Sequence, residues 1–302
     1  MRWLISEGHD VTAVNGDPGL FGQGYDQYWL SCIFSWDAPL ARDIALRHKD
    51  NADVFCGGPG MFALGNWWKK ETGLSCTKGL DQRFERQRGR YVMNFASRGC
   101  PVNCSFCIVP RLEGTEFTLD YDFDPAPVLC DNNLSALPDD FQEHILSRYR
   151  KFNVPLRDCN SGFEPRTFTF ETYRRWKNIM RGAWRFAFDT TDEEGWVKPM
   201  MNILLPVRQG KKRVYCLIGN EPFDACYERF IKIIEWGGEP YVQPVMPLNA
   251  LSKNDIKVNF DWTYQELRDF ARFSNIFLWR SMHMKVYKPR KNEPPSLAHR
   301  FP

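Results

Sequence analysis

The apolar positions change period along the chain in a regular way. Short apolar or alternating runs, as strands produce, are followed by segments with apolar residues three and four apart, as helices produce. Residues 9–15 (HDVTAVN) and 27–35 (QYWLSCIFS) read as strands, and 38–49 (APLARDIALRHK) as the helix after them. Residues 52–60 (ADVFCGGPG) read as a strand ending in a glycine turn. After a less regular stretch, 61–90, a second series begins. Its strands are expected in RYVMNFAS, APVLCDNNLSAL (126–137), LRDCNSGFEPR (156–166), AWRFAFDTTDE (183–193), KRVYCLIGNEP (212–222) and EPYVQPVMPLN. Its helices are expected in DDFQEHILSRYRKF, TFETYRRWKNIM, FDACYERFIKIIEWG and TYQELRDFARFSNIFLW. Gly237 and Gly238 stop the third of these as a C-cap does, and Thr263 with Glu266 forms an N-terminal capping box on the fourth. Such alternation predicts an α/β fold with parallel strands and crossover helices.

The opening residues read as the last turns of a helix entering the second strand of a domain whose first strand has no counterpart here. The tail KVYKPRKNEPPSLAHRFP, rich in proline and charge, is expected to be extended or disordered. The arginines of QRFERQRGR (Arg83, Arg86, Arg88, Arg90) read as a solvated linker, with a phosphate-binding patch as the rival reading.

Composition narrows the picture only slightly. In 302 residues, 43% are apolar, and no run of 18 or more apolar residues offers a transmembrane helix. The first ten residues hold no signal-peptide core, so a cytoplasmic location away from membranes is expected. A net charge of +3 favours no class of partner. The five histidines show no metal spacing, and no P-loop, GxSxG or HExxH motif is present.

Ten cysteines are too few for a disulfide framework in a chain of this length. Three of them, Cys100, Cys104 and Cys107, crowd into NFASRGCPVNCSFCIVPR. Thiolates bind zinc, copper(I) and iron–sulfur clusters. Structural zinc wants four ligands, commonly as two pairs, and only one group is present here. Three cysteines would hold three irons of a [4Fe–4S] cube and leave the fourth iron open. A zinc site completed by a fourth cysteine such as Cys130 is the competing reading.

C-x3-C-x2-C with an aromatic, Phe106, before its last cysteine resembles the signature of the radical S-adenosylmethionine (SAM) superfamily. The resemblance extends over residues 90–250 through VLCDNNLSAL, DCNSGFEPR, WRFAFDTTDE, VYCLIGNEPFD and PYVQPVMP. It is nearest to members that carry a cobalamin-binding-type N-terminal domain. It implies a partial (βα)6 TIM-like barrel at 90–250, a truncated Rossmann-like α/β domain at 1–89, and a C-terminal helix with a basic tail at 251–302.

The function implied is reductive cleavage of SAM to a 5′-deoxyadenosyl radical that takes hydrogen from a substrate. By this resemblance Cys100, Cys104 and Cys107 are cluster ligands. Phe106, Asp131, Asn132, Asn160, Arg166, Asp189 and Gly219 are candidate SAM contacts, Arg166 toward the SAM carboxylate. The catalytic residues are not identified. A flavodoxin or ferredoxin is the implied electron donor, and the substrate class stays open among nucleobase, peptide and small metabolite. No D-x-H-x-x-G is present, so cobalamin is not expected. Cys32, Cys56 and Cys76 resemble, in placement only, the second-cluster cysteines of methylthiotransferases, and buried core thiols are the alternative. Cys130, Cys159, Cys216 and Cys226 read as core, with Cys130 or Cys159 able to face substrate. A non-catalytic cluster-binding homologue is the further alternative.

Overall fold

A computed structural model describes residues 2–19, 24–77, 92–160, 162–289 and 294–301. The arginine-rich segment 83–90 lies outside the described residues. The chain divides into two compact units. The first comprises residues 1–89, 99–116 and 247–255, and the second 90–98, 117–246 and 256–302.

In the first unit, α1 (Arg2–Ser6) precedes two parallel strands, β1 (Gln27–Ser31) and β2 (Asp53–Gly57), paired from Gln27↔Asp53 to Ser31↔Gly57. Between them runs α2 (Ala38–His48), whose Ala38, Ala41, Ala45 and His48 fall on one buried stripe. Residues 65–72, which carried no clear period, form α3 (Gly65–Thr72). Cys32, Cys56, Met61, Leu64 and the fully buried Trp68 fill the core between these elements. The glycine turn is required by close backbone approach. Gly58 has φ +98, and a Cβ there would stand 2.4 Å from the Cys32 carbonyl oxygen. Residues 9–15 form no strand. They are largely exposed and pair with no strand among the described residues, so an apolar alternation alone does not hold an extended ladder there.

The second unit carries six parallel strands in two three-stranded sheets. One has the order β3 (Met93–Asn94), β6 (Val128–Leu129), β7 (Asp158–Cys159), and the other β8 (Trp184–Ala187), β9 (Lys212–Ile218), β10 (Glu239–Pro244). A two-stranded antiparallel pair, β4 (Ser97–Arg98) with β5 (Thr118–Leu119), brackets the cysteine loop in sequence. The sequential parallel order matches expectation, but the described strands form no closed barrel and no single six-stranded ladder. β7 is two residues long, and beyond it only the Phe163 N–H reaches the β8 edge, at 2.8 Å from the Arg185 carbonyl.

Helices follow the strands as their sequence dictates. α4 (Val109–Leu112) is a single turn in the cysteine loop of the first unit. α5 (Asp139–Phe152) starts with Asp139 and Asp140 and ends with Arg150 and Lys151, complementing the helix dipole at both ends. α6 (Phe170–Trp176), α7 (Glu194–Ile203), α8 (Phe223–Glu235) and α9 (Tyr264–Asn275) complete the set. The capping box at Thr263 and Glu266 forms as expected. One continuous core joins Leu129, Phe141, Trp176, Phe186, Val214, Phe230 and Phe270.

The tail is not loose. Tyr287 and Leu297 are buried, and Arg300 pairs with Asp261 and Glu266. Among the described residues of the tail, Arg300 spends its charge on partners far away in sequence that composition does not reveal. Among the described residues no helix is long and apolar enough to cross a membrane.

Candidate functional site

The cysteine loop, residues 99–116, is closed at its base by backbone contacts. Gly99 has φ +91, and a Cβ there would lie 2.1 Å from the Glu116 carbonyl oxygen. Its N–H donates to the Glu113 carboxylate at 3.0 Å, and the Cys100 N–H donates to the Gly114 carbonyl at 3.2 Å. Asn103 takes the left-handed conformation, φ 54, which asparagine tolerates better than most side chains. The chain then turns tightly, with the Cys107 N–H 3.0 Å from the Cys104 carbonyl. The Cys107 sulfur accepts from the Val109 N–H at 3.4 Å, the kind of N–H···S contact that tunes metal-bound thiolates.

Cys100, Cys104 and Cys107 are half-buried, and Phe106 is exposed. The donor set suits a soft metal or an iron–sulfur cube. Among the described residues, however, no three His, Cys, Asp or Glu side chains converge closely enough to hold a metal ion.

In the second unit the other candidates follow the C-terminal ends of the parallel strands. Asp131 is fully buried. Its carboxylate accepts from the Ala96 N–H at 2.9 Å and the Ser97 hydroxyl at 2.6 Å, tying the end of β6 to the start of β4. Burial pushes its pKa up to about 6, against the pull of these hydrogen bonds. Asn132 is half-buried and Asn160 exposed. Gly219 has φ +81, and its carbonyl accepts from the Asn259 amide at 3.1 Å.

Arg166 and Asp189 are brought together through Glu193. Arg166 donates to Glu193 at 2.9 Å, lies 3.7 Å from Glu164, and stacks over Trp196 at 5.0 Å. Glu193 in turn accepts from the Asp189 N–H at 2.6 Å. The Asp189 carboxylate accepts from the Leu217 N–H of β9 at 3.1 Å. Burial, reinforced by the neighbouring Glu193, raises its pKa to about 7.

Sequence reasoning missed the residue that organises this network. Arg229 is completely buried in α8. It donates to the Phe188 carbonyl at 2.7 Å, the Leu217 carbonyl at 2.9 Å and Glu221 at 2.9 Å. It also touches the Cys216 sulfur at 2.9 Å and the Cys226 sulfur at 3.3 Å. Glu221 completes the link by accepting from the Thr191 N–H and hydroxyl. The available signal was an arginine set inside the apolar stripe of Phe223, Cys226, Phe230 and Ile233. The cluster therefore holds four carboxyl groups (Glu164, Asp189, Glu193, Glu221) against two guanidiniums.

The remaining cysteines behave as core. Cys130, Cys159, Cys216 and Cys226 are buried, and burial raises all four thiols. Cys32 and Cys56 are buried in the first unit and share a hydrogen bond, which lowers the Cys32 thiol and raises that of Cys56.

No protein-family model and no curated protein matches the chain. Among solved structures it is similar to TsrM from Kitasatospora setae, described as a radical S-adenosylmethionine methyltransferase with cobalamin and a [4Fe–4S] cluster bound. The TM-score is 0.58 at 12% identity, covering 84% of this chain and 76% of that one. At this identity the likeness establishes a shared fold: a mixed α/β architecture of the kind that a radical SAM enzyme uses.

Proposed function

We propose that the chain is a radical SAM enzyme whose [4Fe–4S] cluster is held by Cys100, Cys104 and Cys107. The observation that carries this reading is the C-x3-C-x2-C loop, closed at its base by Gly99 and placed between β4 and β5, in a chain that shares its fold with a radical SAM methyltransferase. When bound, the cluster supplies the electron that cleaves the SAM sulfonium bond, yielding methionine and a 5′-deoxyadenosyl radical that removes hydrogen from substrate.

This chain's own residues have the tasks of holding and orienting. The loop fixes three thiolates within eight residues. Asp131 anchors the strand that feeds the loop. The polar candidates for SAM are Asn132, Asn160, Arg166 and Asp189. Of these, Arg166 and Asp189 belong to a cluster rich in carboxyl groups, which favours the cationic parts of SAM over its carboxylate. A flavodoxin or ferredoxin is the proposed electron donor. Cobalamin does not form part of the proposal. The chain lacks D-x-H-x-x-G.

The test is anaerobic reconstitution with iron and sulfide, followed by SAM and dithionite. About four irons per chain and release of 5′-deoxyadenosine are expected, as a cube with one open iron requires. A colourless protein that retains one zinc through the procedure refutes the reading in favour of a structural metal site. An intact cluster that never releases 5′-deoxyadenosine identifies a non-catalytic homologue.

A further inference from the structure

The second unit contains a cleft of about 440 Å3 lined by Tyr149, Arg150, Asn153, Val154, Leu156, Asn178, Ile179 and Arg181, among others. Its floor immediately precedes β7, and Arg181 precedes β8. It therefore lies at the N-terminal ends of these strands, whereas Arg166 and Asp189 follow their C-terminal ends. The size falls in the range of small-molecule sites.

The walls are two helix ends held in place by backbone bonds. Asn153 adopts φ 51 after α5, and its N–H donates to the Arg150 carbonyl at 3.2 Å. The Arg181 N–H donates to the Leu156 carbonyl at 3.0 Å. Gly182 permits this approach, because a Cβ there would stand 2.1 Å from the Arg157 carbonyl oxygen. Lys211 donates its ammonium to the Arg181 carbonyl at 2.7 Å.

Charge distinguishes this cleft from its surroundings. Nearby, Arg148 holds Asp122, Arg175 holds Asp139 and Glu143, and Arg185 holds Asp158. Arg150 and Arg181 hold no carboxylate among the described residues. The side-chain amides of Asn153 and Asn178 also make no hydrogen bond there. Two guanidinium forks and two amides, all four exposed and without a protein partner among the described residues, thus line the mouth of the cleft above an apolar floor of Val154, Leu156 and Ile179. Guanidinium forks match the oxygens of phosphate bidentately.

We propose that this cleft binds a phosphorylated small molecule, its phosphate oxygens clamped by Arg150 and Arg181 and its apolar body resting on Val154, Leu156 and Ile179. The site is separate from the cysteine loop and does not depend on the radical SAM reading.

The experiment is calorimetric titration of the full chain with ATP, pyrophosphate and adenosine at low and at moderate salt. Saturable ATP binding is expected, weaker at higher salt, with adenosine failing to bind comparably. The double variant R150Q/R181Q keeps the alkyl stems and should weaken ATP binding roughly tenfold or more, as loss of charge-assisted bonds implies. R174Q, at an arginine that does not line the cleft, should leave it unchanged. No saturable binding of ATP or pyrophosphate at millimolar concentration overturns the proposal. So does an affinity for ATP that the double variant leaves intact.

Discussion

Asp189 makes the protein's stability depend on pH with an unusual sign. A carboxyl whose folded-state pKa is raised binds its proton more tightly in the native state than in the unfolded chain. Its stabilising contribution is fully present below the unfolded pKa and is lost as pH climbs through the folded one. For Asp189 that window runs from the ordinary aspartate value of 3.8 to about 7. At 1.36 kcal/mol per pH unit the whole swing is about 4 kcal/mol, with roughly half to two thirds of it between pH 5 and pH 8. D189N removes the ionisation and keeps a side-chain oxygen to accept the Leu217 N–H. Urea unfolding followed by tryptophan fluorescence should show wild type losing about 2–3 kcal/mol relative to D189N between those two pH values. Asp131 and Glu164 are also raised by burial, but both are present in the two proteins and cancel in the comparison. Parallel pH profiles for wild type and D189N would refute the assignment of a buried, proton-binding carboxyl to this position.

Removal of Arg229 should be costly, because it leaves the Phe188 and Leu217 carbonyls without their donor and Glu221 without its counter-charge. R229M is expected to lose about 3–5 kcal/mol in denaturant unfolding. Substituting serine for Cys100, Cys104 or Cys107 should abolish iron retention after reconstitution, whereas C130S should leave it intact, as iron analysis will report. Loss of metal from C130S would instead favour the four-cysteine zinc alternative. G58A should destabilise the protein by about 2 kcal/mol or more, measured as a fall in the urea midpoint. Alanine there must adopt a left-handed backbone with its Cβ 2.4 Å from the Cys32 oxygen.

The helices that were legible carry their own evidence, whereas α3, the single turn α4 and α7, which has Pro199 inside it, were not read from the sequence. Residues 139–152 display an apolar stripe, acids at the start, bases at the end and an asparagine cap, and α5 has those bounds. The box at Thr263 is equally local. Strands were legible only in order. An apolar run does not state how many residues find a partner, so the strand with its exit loop read at 126–137 and the short strand and turn read at 156–166 each keep a two-residue ladder, at β6 and β7. Residues 9–15 had the alternation of a strand and pair with no strand among the described residues. The tail reads as polar because its partners, Asp261 and Glu266 for Arg300, lie more than thirty residues away.

Arg166 shows why a motif can name a residue without giving its charge environment. Sequence resemblance offered it as a partner for a carboxylate on SAM. In the fold its guanidinium lies between Glu193 and Glu164 and over the Trp196 ring, so its positive charge is already balanced before any ligand arrives. A third carboxylate would meet a fork with one acid bonded and another within 4 Å, and would also face Glu193 itself. Like-charge crowding of this kind already contributes to the raised pKa of Asp189. Adding a cation to the cluster relieves that repulsion, and adding an anion increases it. The acids that follow β7, β8 and β9 therefore surround Arg166 with like charges, while Arg229 is bonded to Glu221 alone among them.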